Sequence, residues 1–167
     1  MSAVLGDKHR FAVEVGERGQ LCRVDLWAAG VWLTCDDNMA YTPQFRRAVL
    51  HTADRLRSGE GSPPPYAGTS PEATHRRLGT ETDHELRSRF RALDWGPTTD
   101  NVMAHLFREG EHLMITLEFW REEHLLAHPE HAREVFVVEI PTAEFIGILD
   151  DLVSVLDGSR KPEAGLS

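Results

Sequence analysis

Three histidines, His124, His128 and His131, stand beside Glu122, Glu123 and Glu130 in a short polar stretch. Imidazoles four residues apart share one helix face, so His124 and His128 with His131 nearby are candidate ligands for zinc or nickel. The HExxH pattern of zinc hydrolases is absent: Glu123 precedes His124 and Leu125 follows it, and Pro129 stops a helix directly after His128. A second group is Cys35-Asp36-Asp37-Asn38. A nucleophilic thiolate needs a positive group or a helix N-terminus beside it, and two aspartates act in the opposite direction. The run therefore reads as a polar turn, and its spacing is not that of a calcium loop. Asp150-Asp151 reads as solvated charge on a helix. Arg76, Arg77, Arg87, Arg89 and Arg91 form the one basic concentration and read as a solvated helix face.

The remaining candidates are for recognition, not catalysis. Trp120 is followed by Arg121-Glu122-Glu123, and Glu118 lies two residues before it. An aromatic ringed by charge has the composition of a binding hot spot, so Glu118, Trp120, Glu122 and Glu123 are the candidate contact residues. The charge of the whole chain points the same way. Of 27 acidic and 18 basic residues, the stretch 101–157 holds 12 and 3, which accounts for the full net charge of −9. Such a surface suits a basic protein partner and disfavours nucleic acid, whose phosphates require clustered Lys and Arg.

These residues need a scaffold, and the hydrophobic pattern supplies one of the α+β class. Residues 101–157 alternate as a three-strand meander and end in an amphipathic helix carrying Phe145, Ile148, Leu149, Leu152, Val153 and Leu156. The N-terminal half echoes that order: strand, turn, strand, short strand, then a helix opened by Thr42-Pro43. The two meander-then-helix units together predict a mostly antiparallel sheet of about six strands with three to four helices on it. The run 135–140 is apolar at nearly every residue, as in a central strand covered on both faces. Ser70-Pro71 opens a further helix, and Thr82 with Glu85 fits a capping box.

The expected organisation is a flexible leader over 1–9, a single domain over 10–157 with a Pro/Gly-rich loop at 58–69, and a disordered tail over 158–167. The PPPY string in that loop resembles the PPxY ligands of WW domains, although a mobile linker is the simpler reading. No apolar run is long enough to cross a bilayer and no signal-peptide pattern opens the chain, so a cytoplasmic location with no membrane contact is expected. Two cysteines suit a reducing compartment, and the bias to arginine over lysine suits a high-GC bacterial genome.

The strand-rich, acidic, single-domain plan resembles that of small immunity proteins that neutralise bacterial toxins. The first functional expectation is thus a non-enzymatic protein-binding module, an immunity or adaptor protein, with no cofactor. The alternatives are a metal-dependent or hydrolytic enzyme built on His124, His128 and His131, and a structural subunit of a larger assembly.

Overall fold

The computed structural model describes residues 3–158. It contains eight strands and five α-helices. The strands are β1 (Ala3–Asp7), β2 (Phe11–Val15), β3 (Leu21–Ala28), β4 (Val31–Trp32), β5 (Met39–Tyr41), β6 (Val102–Glu109), β7 (His112–Phe119) and β8 (Phe136–Pro141). The helices are α1 (Thr42–Arg57), α2 (Pro71–Gly79), α3 (His84–Phe90), α4 (Glu122–Ala127) and α5 (Thr142–Asp157).

The α+β class and the antiparallel pairing are as the pattern predicts, but the strands divide between two sheets. The first runs β1-β2-β3-β4, with β5 also paired to β3; the second runs β6-β7-β8. Residues 3–7 of the expected leader form strand β1, in register from Ala3 opposite Val15 to Asp7 opposite Phe11. Its weak alternation hid it, because Gly6 stands at φ +85° with no side chain to mark a face. A Cβ there would lie 2.3 Å from the Phe11 carbonyl oxygen, so only glycine allows the pairing. The expected tail, beyond Gly158, lies outside the described residues.

Strand β8 is an edge strand, not a central one. Its continuous apolar run reflects helix cover: it pairs with β7 on one side and packs against α5 and α2. The inner faces of both sheets share one core with α1 and α5, centred on Phe11, Leu26, Phe45, Trp95, Leu117 and Phe145. The other face of β6 and β7 is covered by α2 and α3 through a smaller cluster of Leu78, Phe90 and Phe107. The second sheet is therefore buried on both faces, whereas the first carries exposed Val4, Leu21, Trp32, Met39 and Tyr41 on its outer face.

Helix starts follow local chemistry. Ser70 caps α2 by accepting from the Ala73 N–H, and Asp83, not Thr82, caps α3 by accepting from Glu85 and Leu86. Thr42 is already helical, and its hydroxyl donates to the Gly19 carbonyl. Gly158 ends α5 in the left-handed conformation. The 58–69 segment is irregular but fastened. Arg108 donates from its backbone to Ser62 O, Tyr66 donates to Glu81, and the Arg77 guanidinium lies 3.8 Å over the Tyr66 ring.

Candidate functional site

The polar stretch that carries the histidines begins where β7 ends. Phe119 is buried, and Trp120 and Arg121 lead into α4. Glu122 and Glu123 occupy the first turn of α4, where carboxylates complement the helix dipole. The helix stops at His128, and a 3-10 turn over Pro129–His131 folds the chain back. The reversal stacks His124 and His131 on the Phe119 ring at 3.9 and 4.7 Å, with His128 4.8 Å from His124. All three sequence candidates for metal ligation thus lie together.

Their nitrogen atoms, however, do not converge on one point. His124 Nε2 and His131 Nδ1 are hydrogen-bonded to each other at 2.8 Å, and His128 Nδ1 approaches Glu130 at 3.4 Å. The ligand-type atoms that do converge belong to Cys35, Asp36 and His124, within 4.8 Å of one another. His124 Nδ1 lies 2.7 Å from Asp36 Oδ2 and 3.8 Å from Cys35 Sγ. The buried amide of Asn101 donates to the same Asp36 oxygen at 2.7 Å and to the Leu33 carbonyl at 2.8 Å. Burial works against the Asp36 charge, but hydrogen bonds from Asn101 and His124 outweigh it and hold the carboxyl below its usual range. Burial, and then the Asp36 carboxylate, push the Cys35 thiol up to about 11. Cys35 is a thiol at neutral pH, as the aspartates beside it imply, and is not an activated nucleophile.

Exposed acids flank this half-buried cluster in sequence. Trp120 is 53 % exposed, and its indole N–H donates to the Asp100 carbonyl at 2.8 Å. Glu122, Glu123, Asp100, Asp36 and Asp37 are all exposed. Asp36 is tied to Asn101, the neighbour of Asp100, and to His124, which joins the β4–β5 loop to α4. The Arg121 guanidinium lies 5.5 Å from the Trp120 ring. A groove of about 350 Å³ runs beside it, lined by Arg91, Asp94, Asp100, Trp120 and Arg121 among others.

Of the four sequence-derived contact candidates, Trp120, Glu122 and Glu123 are exposed. Glu118 is half-buried and approaches buried His75 at 3.3 Å, off the line of a directed hydrogen bond. His75 also contacts Thr116 Oγ1 at 2.8 Å and His105 Nδ1 at 3.0 Å. Burial first, then His75, Arg87 and Arg91, push His105 down to about 3, and burial lowers His75 as well. Asp36 reads in the sequence only as part of a polar turn, and Asp100 and Asn101 carry no local signal: Asn101 is 65 residues from Asp36, and His124 is 88.

No family model matches the sequence, and no curated protein matches it. Among solved structures, the fold is similar to that of CdiI from Burkholderia dolosa AUO158, a contact-dependent inhibition immunity protein. The two share 16 % identity at a TM-score of 0.57, over 91 % of this chain and 99 % of that one. At this identity the likeness is one of fold. No described helix is long and apolar enough to cross a membrane.

Proposed function

We propose that this chain is a non-enzymatic immunity protein that neutralises a toxin by binding it, with Trp120 and its acidic rim as the contact face. The observation that carries the reading is the half-exposed indole of Trp120, pinned to the Asp100 carbonyl and followed, after Arg121, by exposed Glu122 and Glu123 in the first turn of α4. Its N–H is already satisfied by Asp100, so a partner meets an aromatic face without an unpaired donor, and little side-chain freedom is lost on contact. The adjacent carboxylates speed encounter with a basic surface and repel acidic ones. The exposed Leu126 on α4 adds apolar area beside the rim. The fold likeness to CdiI supports the immunity form of this reading over a general adaptor.

The test is neutralisation. Each protein encoded beside this chain's gene is expressed alone and then with it, and growth is followed. A neighbour that arrests growth, released by this chain but not by its Trp120→Ala/Glu122→Lys/Glu123→Lys variant, is the expected result. An adaptor would bind without restoring growth. Release by the triple variant as complete as by the parent chain would refute the assignment of the face.

A further inference from the structure

We propose that Cys35, Asp36 and His124 form a zinc site that fastens the β4–β5 loop to α4. The three donors come from separate parts of the chain, yet Cys35 Sγ, an Asp36 carboxylate oxygen and His124 Nδ1 lie within 4.8 Å of one another. Tetrahedral zinc holds sulfur at roughly 2.3 Å and nitrogen or oxygen at roughly 2.0–2.2 Å, which sets ligand atoms roughly 3.3–3.6 Å apart. The observed separations are 3.8 Å from Sγ to Nδ1 and 2.7 Å from Nδ1 to Oδ2, with the three donor atoms within 4.8 Å of one another, so shifts of up to about an ångström admit the ion.

The surroundings are those of a metal site on both sides. A ligating histidine usually donates its other ring N–H to a fixed acceptor, and His124 Nε2 lies 2.8 Å from His131 Nδ1. Phe119 stacked on both rings holds the imidazole plane. Asn101, itself buried, orients the carboxylate by donating to Asp36 Oδ2. The mixture of one thiolate, one imidazole and one carboxylate suits zinc better than calcium or magnesium, which take oxygen ligands. Asp36 is exposed, so the fourth position opens to solvent and is filled by water. His131 supports His124 from behind, and His128 lies outside the ligand set.

The ion would join the β4–β5 loop to the helix that follows β7, and would fix one acid, Asp36, beside that helix. The proposal does not depend on what the Trp120 face binds, and its test involves no partner.

Purified full-length protein is stripped with chelator and titrated with zinc by calorimetry, and with cobalt by absorbance. One zinc per chain is expected, with a thiolate-to-cobalt charge-transfer band in the near ultraviolet. Cys35→Ser should abolish that band, Asp36→Asn should weaken zinc binding at least tenfold, and His128→Gln should leave both unchanged. Absence of the band in the parent protein overturns the proposal, whatever the variants do. So does zinc binding that survives Cys35→Ser but is lost in His128→Gln, which would place the ion on the three histidines. Thermal unfolding with and without zinc gives a second readout: a rise in midpoint seen in the parent and missing in Asp36→Asn is expected, and an equal rise in both contradicts the site.

Discussion

Acidification from pH 7 to 4.5 should destabilise this protein through His105. The ring is 4 % exposed on β6, facing His75 of α2, with Arg87 of α3 and Arg91 pressing the same sign of charge on it and Glu118 at 3.3 Å from His75 Nε2. Burial leads these effects and holds the folded pKa at about 3, against 6.5 when unfolded. Below pH 6.5 the unfolded chain therefore binds a proton that the folded chain refuses. The contribution is fully present above 6.5 and is lost as pH falls toward 3, at about 1.4 kcal/mol per pH unit. Between pH 7 and 4.5 the loss is roughly 2.5 kcal/mol from this one group. His75 and His131, also lowered, act with the same sign, so the comparison must be with a variant. His105→Asn keeps a polar atom near Nδ1 and removes the titration. Urea unfolding followed by tryptophan fluorescence at both pH values should show the parent losing about 2.5 kcal/mol more than the variant. Equal losses, within about 0.5 kcal/mol, would mean that His105 is hydrated in the folded protein and that the packing of α2 and α3 on the second sheet is looser than described.

Three further outcomes follow from the same packing. Gly6→Ala places a Cβ 2.3 Å from the Phe11 carbonyl at a φ of +85°, and should cost roughly 1–3 kcal/mol in urea unfolding; a neutral effect would mean that β1 is detached, as a leader would be. Trp95→Ala removes an indole that is 1 % exposed, meets Phe11 and Phe45 edge to face and donates to Thr52 at 2.9 Å. It should cost roughly 3–5 kcal/mol, and a loss under 1 kcal/mol would show that residues 91–100 are not part of the main core. Trp120→Ala, at a half-exposed site, should leave unfolding within about 0.5 kcal/mol of the parent while reducing partner binding, and a large loss of stability would make Trp120 a packing residue instead.

The second half of the fold was legible because its strands are long and its last helix has a wide apolar face. Strands β6 and β7 and helix α5 follow the hydrophobic period closely, and Gly158 stops α5 as expected. The first half was less legible. Strand β1 contains Gly6 and an exposed Val4, so its alternation is broken where the backbone bends. The division into two sheets was hidden because edge pairing is decided by helix placement: α1 and α5 fill the space between the sheets, and no local pattern reports this. The apolar run of β8 suggested a central strand, but helices can bury an edge strand equally well. At the site, Trp120, Glu122 and Glu123 were found by their mutual proximity in sequence. Cys35 and Asp36 were read as a polar turn because the groups that give them a role, His124 and Asn101, arrive from the other half of the chain.

The growth assay with the proteins encoded beside this chain bears most directly on the central claim. One neighbour should arrest growth, this chain should restore it, and Trp120→Ala with Glu122→Lys and Glu123→Lys should abolish the rescue in a protein that still folds. Full rescue by that variant, or no neighbour that arrests growth, would contradict the claim that the acidic rim around Trp120 neutralises a toxin.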